Sequence, residues 1–439
     1  MDRAERVSPG AADRAGPGAA DRASAGAADR VGAGAAVRVR AGAVRAALGR
    51  GLEKVTGQAL GPYQSAVVRI GFSATWLLFL LREFPNRREL YGPDGPWSWQ
   101  LAERLIDSNR AFTVLMWSDS TLWFEIVYAL ALGSAALLLL GWRTRAMSVL
   151  FMVGVLSLQN RSVFMGDGGD NVIHLMALYL VLTRCARVWS LDARRASRTG
   201  SASTGAAGPV LWVLLGLVLP YAAFTDAVST GWLAVFATLW VVQGLWWMVE
   251  RYEPDGEGRA TLDVIADLVH NAGLLVIMVE VCLIYATAGW YKIQGSRWQD
   301  GTALYYPLGL DYFTPWPALS GLLAASGTLV MLLTYGTVMV QVAFPFTLFN
   351  RRIKNALLCV MMLEHAGIAV LLGLPFFSLA MIAADAVFLP TVFLVWLGAR
   401  ARALRERAGG SADRAADPEP SAPEPEEEPD EEYAPAPAP

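Results

Sequence analysis

The chain has 439 residues, of which 54% are hydrophobic and only 17% charged, with a formal net charge of −3. Soluble domains carry about a quarter charged residues, so this composition excludes an ordinary multidomain soluble enzyme and fits a polytopic membrane protein. The charge is unevenly spread: residues 408–439 hold ten acids and one base, while residues 43–407 hold 28 bases against 24 acids. No basic stretch is interleaved with aromatics, so no nucleic-acid partner is expected.

The first forty residues repeat with a period of eight, GAADR beginning at Gly10, Gly18 and Gly26 and GAAVR at Gly34. Large apolar side chains are nearly absent, and residues 1–55 are expected to form a disordered cytoplasmic arm. Ten apolar segments follow, each near the length that crosses hydrocarbon: 65–81, 122–141, 146–165, 170–188, 209–225, 232–249, 268–290, 328–349, 356–373 and 376–398. Residues 319–349 have a second reading, a short surface helix and then one crossing, divided near Thr334–Gly336. The Pro-rich acidic segment 408–439 is expected to be a disordered tail. The predicted fold is an all-α, polytopic integral membrane helix bundle of about ten (eight to ten) transmembrane helices over residues 60–400. With the N-terminus inside, inside segments hold sixteen Lys and Arg and outside segments eight. This bias predicts a multi-pass cell-membrane protein with both termini cytoplasmic and the loops around Asp167–Asn171 and Lys292–Trp316 outside.

Ionisable groups inside apolar spans are costly and mark candidate sites: Glu125, Asp170, His174, Glu280, Lys292, Glu364, His365 and Asp385. Lys292 follows YATAGWY at the outer end of a long apolar segment. An amine at an apolar edge loses solvation of its charged form and can serve as a general base; the plain alternative is a head group snorkelling to the interface. In QNRSVFMGDGGDNVIHL a span stops at a Gly-rich turn. There Asn171 and His174 share a helical face, and Asp170 suits either a helix cap or a site residue. Glu364 and His365 are adjacent, about 100° apart on a helix, so they should face different neighbours. His270 is expected at the inner interface. Cys185, Cys282 and Cys359 read as small apolar core residues, with no metal-ligand spacing. The absence of a nucleophile elbow, a P-loop and a His-Glu-x-x-His motif leaves hydrolase and nucleotide-driven pump readings without support.

SAVVRIGFSATWLLFL, LYGPDG, GWRTRAMSVLF, QNRSVFMGDGGDN, WSLDA at Trp189–Ala193, YATAGWYKIQGSRWQDG and the late span with His365 occur in this order. In that order they resemble the HTTM family, which includes the membrane domain of vitamin K-dependent gamma-glutamyl carboxylase. The resemblance covers most of residues 60–400, with 209–249 as an inserted helical hairpin. It implies a lyase-type reaction in which a lysine, here Lys292, deprotonates a reduced quinone (vitamin K or menaquinone). The hydroquinone then reacts with dioxygen to give an epoxide and a strong base, which removes a gamma proton from a peptide glutamate so that the carbanion takes up carbon dioxide. The late-span histidine falls on His365. The carboxylase's third-loop histidine falls on Asp170, one turn from His174, and its neighbouring lysine on Tyr291. Asn171, Trp290, Tyr291 and Trp298 are the residues placed to hold the cofactor, and no metal is implied. A second family role is maturation or export of a secreted peptide with a small membrane partner protein. The implied partners are therefore the bilayer, a peptide or protein substrate and such a partner.

Overall fold

The structure is a computed structural model that describes residues 45–199 and 206–416. Among these the chain is helical, with no strand. Residues 45–57 form helix α1, so the last part of the segment read as a disordered arm is helical; residues 1–44 lie outside the described residues. There follow α2 (Pro62–Glu83), α3 (Trp99–Asn109), α4 (Thr121–Leu140), α5 (Thr144–Arg161), α6 (Gly168–Leu182) and α7 (Leu191–Thr199). The second half holds α8 (Ala207–Phe224), α9 (Thr230–Tyr252), α10 (Glu257–Gln294), α11 (Pro317–Ala324), α12 (Gly327–Ala343), α13 (Arg351–Leu371), α14 (Pro375–Asp385) and α15 (Thr391–Ala416). Helix α15 runs nine residues into the segment expected to be an unstructured tail, and residues 417–439 lie outside the described residues.

Among the described residues six helices are long and apolar enough to cross a membrane: those starting at Pro62, Thr121, Thr230, Glu257, Gly327 and Arg351. The other four predicted segments are helical but differ in detail. α5 opens with Thr144 and Arg145 and closes with Gln159, Asn160 and Arg161, which shortens its apolar stretch. α6 and α8 are apolar but short. Segment 376–398 is interrupted: α14 ends at Asp385, a 3-10 turn covers Ala386–Phe388, and α15 starts at Thr391 after Pro390. Residues 319–349 form a short helix, α11, and then one long helix, as in the second reading, but α12 runs unbroken through Thr334–Gly336. The break falls at Ala325–Ser326 because the Ser326 hydroxyl caps α12 by accepting from the Leu329 amide.

The chain divides into two compact units, Met1–Val387 and Phe388–Pro439. In the first, α14 packs against α2, α6 and α13, α4 against α2 and α5, and α10 against α6 and α12. Two buried arginines tie loops to this bundle, because a guanidinium in an apolar interior has to find acceptors for its donors. Arg69 on α2 donates to the carbonyls of Leu138, Leu139, Cys185 and Trp189. Arg161 donates to Trp97 and Gly92 and so holds the first long loop. Asp192 of WSLDA accepts from the Arg143 and Thr144 amides and the Thr144 hydroxyl, capping α5 from a distance. The conspicuous GWRTR and WSLDA segments thus fasten one end of the bundle. His270 is fully buried rather than interfacial: its Nδ1 accepts from the Arg184 amide and its Nε2 donates to the Leu60 carbonyl at 2.8 Å. In the second unit, α15 stacks Trp396 on Phe393 and lays Arg400 over Trp396.

Candidate functional site

Helix α10 is the spine of the site. Its buried residues, Asp267, His270, Gly273, Leu274, Ile277, Val281, Tyr285 and Gly289, follow the helical repeat and form one stripe. Lys292 continues that stripe two turns beyond Tyr285. Its half-buried ammonium donates to Gln341 Oε1 on α12 at 2.7 Å. The Gln341 amide nitrogen donates in turn to Glu364 Oε1 on α13, also at 2.7 Å. The partners fix the amide's orientation, oxygen to the cation and nitrogen to the carboxylate. Lys292 Nζ also lies 5.3 Å from the centre of the Trp298 ring. No direct Lys292–Glu364 ion pair forms among the described residues, and the amide is the spacer between them.

His365 takes the opposite direction from its neighbour Glu364. Its Nε2 lies 3.1 Å from the Tyr285 hydroxyl, which donates to Asp385 Oδ1 at 2.9 Å. A hydroxyl has one proton, so Tyr285 accepts from His365 Nε2–H while donating to Asp385. His365, Tyr285 and Asp385 are all at least 98% buried. Two acceptor atoms in this triad, His365 Nδ1 and Asp385 Oδ2, have no partner among the described residues, and neither has the Ser378 hydroxyl two turns before Asp385 on α14. Buried orphan acceptors are expensive and call for a donor from a ligand or water.

The DGGDN turn is a neighbour of the triad rather than a member of it. Asp167, not Asp170, is the N-cap of α6, accepting from the Gly169 and Asp170 amides, while Asp170 Oδ2 accepts from the Asp167 amide. This reciprocal capping box accounts for Asp170 structurally. His174 Nδ1 faces Gln159 Oε1 at 3.0 Å, and Gln159 donates back to the Asp170 carbonyl, so this histidine joins α5 to α6. Asn171 is exposed. The turn reaches the triad through packing: a Cβ on Gly169 would lie 2.6 Å from Phe377 Cα, and the Phe377 ring stands edge-on to His365 at 5.6 Å.

The structure therefore unites His365 with Asp385 and Lys292 with Glu364, and leaves Asp170, Asn171 and His174 outside both hydrogen-bonded chains. Trp290 and Tyr291, placed by sequence with the cofactor, are 62% and 74% exposed and turn away from the bundle, because they flank the buried stripe of α10. Only Trp298 of the aromatic candidates stands beside Lys292. Glu125 is held by Arg87 and Arg88 as a loop clamp. Sequence reasoning missed Tyr285 and Gln341; the signal for the first was its seven-residue spacing from Lys292, and for the second its isolation as the amide in an apolar helix. Clefts of about 300 Å³ beside Arg297 and Tyr305 and about 880 Å³ beside Trp117 and Asp226 lie at the surface, and neither is lined by Lys292 or His365.

No family model matches the sequence, and no solved structure matches it. One curated relative is similar. The chain is 30% identical over 131 residues to the uncharacterized protein YitO of Bacillus subtilis (strain 168), which takes in 28% of this chain and 40% of that protein. The chain thus spans less than half the length of the relative it matches.

Proposed function

We propose that this is an HTTM-type multi-pass membrane enzyme with about ten membrane segments and both termini cytoplasmic, which takes a proton from a membrane-soluble acid at its outward end. The acid is a reduced quinone of the vitamin K or menaquinone type, and the reaction is carboxylase-like. One observation carries the reading: two hydrogen-bonded chains meet at Glu364–His365, one reaching a lysine, the other a buried triad with two orphan acceptors. Lys292 and Trp298 fit one edge of such a molecule, an amine for a phenolic hydroxyl and an indole face for the ring. When bound, the reduced quinone would supply an acidic hydroxyl and the electrons for reaction with dioxygen. Lys292, starting as the neutral amine, accepts the proton at Nζ and becomes the ammonium that donates to Gln341. Gln341 orients that amine and separates it from Glu364, so protonation changes without an ion pair having to break. Tyr285 carries a proton between His365 and Asp385.

The test is epoxide formation by the full chain in detergent and in native membranes, given reduced menaquinone, dioxygen and bicarbonate. Lys292→Ala, checked for an unchanged melting temperature, should lower the rate at least ~100-fold, the usual contribution of a general base. Tyr285→Phe should lower it less. Absence of epoxide in both preparations, under conditions where a known carboxylase is active, would overturn the reading.

A second reading, maturation or export of a secreted peptide with a small membrane partner and no carboxylation, has its own support. The larger outer cleft has an aromatic floor with Phe112, Trp117 and Trp232 and a rim carrying Glu103, Asp107 and Asp226, room for several side chains of a peptide. Loss of peptide maturation on removing these acids, with Lys292→Ala silent, would favour it.

A further inference from the structure

The opposite end of the bundle carries a separate charged cluster. The indole of Trp246, near the end of α9, is 6% exposed, and three guanidinium groups lie over it: Arg145 at 4.1 Å from the ring centre, Arg259 at 5.1 Å and Arg184 at 5.5 Å. These residues come from four helix ends: Arg145 opens α5, Arg184 follows α6, Trp246 closes α9 and Arg259 opens α10. Helix ends that meet in this way mark where apolar surface gives way to the headgroup layer.

The acids of the cluster are all engaged. Asp263 accepts from Arg184 and Arg259, both at 2.8 Å, and Asp267 from Arg184 at 2.7 Å and Arg187 at 2.9 Å. Glu250 lies 3.6 Å from Arg259. Three carboxylates thus balance three arginines. The fourth, Arg145, is exposed, and its guanidinium makes no hydrogen bond or ion pair among the described residues. The Arg145 guanidinium is held over the Trp246 ring, and a guanidinium edge matches a phosphate in a bidentate way. Arg184 and Arg259 behind it add positive field.

We propose that Arg145, held over Trp246, binds the phosphate of an anionic phospholipid headgroup at the arginine-rich end of the bundle. One phosphodiester anion matches the single uncompensated cation. A zwitterionic headgroup would bring its ammonium against Arg184 and Arg259 and should bind less well.

The experiment uses the full chain in detergent, titrated with phosphatidylglycerol, phosphatidylcholine or sodium phosphate, read by melting temperature and by lipid retained in native mass spectrometry. Phosphatidylglycerol should raise the melting temperature and be retained, and phosphatidylcholine should do so more weakly. Arg145→Ala should weaken the phosphatidylglycerol effect roughly fivefold, the worth of one arginine near an anionic lipid. Arg194→Ala, at another exposed arginine, should leave it unchanged. Arg145→Lys keeps the charge without the guanidinium edge and should fall between, which preserves the test if the alanine variant folds poorly. An equal shift in wild type and Arg145→Ala, or equal effects of the two lipids, would overturn the proposal. The same Arg145-dependent shift from sodium phosphate at equal concentration would replace the lipid by free phosphate.

Discussion

Glu364 and His365 are consecutive, yet one bonds toward α12 and the other toward α10. The helical repeat of 100° per residue imposes that divergence, which made it legible in sequence. The partners were not legible, because nothing local couples Tyr285, Asp385 and His365 across 80 and 100 residues. The role of Asp170 turned on a similar point. A DGGD turn allows either acid to cap, and the backbone placed Asp167 at the N-cap because the Gly169 amide lies 2.6 Å from its carboxylate. Gly169 itself is confined by Phe377. Gly169→Ala should cost about 1–3 kcal/mol as overpacking against backbone, lowering the melting temperature in detergent. An unchanged melt would mean that α14 yields freely and that the turn does not position His365.

At the scale of elements, α8 and α9 form a hairpin with a repeated device. Trp212-Val-Leu-Leu-Gly216 and Trp240-Val-Val-Gln-Gly244 face one another, each indole N–H donating at 2.9 Å to the other tryptophan's carbonyl, with the rings stacked at 4.2 Å. Each ring occupies the space over the opposite glycine, where a Cβ would lie 2.6 Å or 2.8 Å from indole atoms. Small residues let helices approach in lipid, and the reciprocal bonds leave neither indole unsatisfied. Gly216→Val should open this hairpin at a cost of about 1–3 kcal/mol, read as faster proteolysis at residues 225–229 than in the parent protein. Resistance equal to the parent's would show that other contacts hold the pair. Hydropathy marked the two apolar segments 209–225 and 232–249 but not the lock between them, since tryptophans in an apolar run read equally well as lipid-facing.

Across the whole molecule, polar function is sorted to two ends of one long helix: acids of the arginine cluster at the start of α10, Tyr285 and Lys292 toward its finish. With the termini cytoplasmic, as proposed, a cysteine at Tyr312, which is 87% exposed, should react with a membrane-impermeant maleimide in intact cells. A cysteine at Ser197 should react only after permeabilisation. The reverse pattern would put Lys292 on the cytoplasmic side and end the outward-site reading. Of the native cysteines only Cys185 is buried as expected of a core residue; Cys282 is half-buried and Cys359 exposed, so the labelling is done in a Cys359→Ala background.

By itself the sequence determined the helical class, the apolar segments and which ionisable residues lie within them, because hydropathy and helical period are local properties that each segment carries wherever it packs. Tertiary structure alone decided how 376–398 is broken, that Arg69 and Arg161 are buried struts, and that Lys292 meets Glu364 through an amide. Those outcomes depend on where buried donors find acceptors, and in a membrane bundle the acceptors come from helices far apart in the chain.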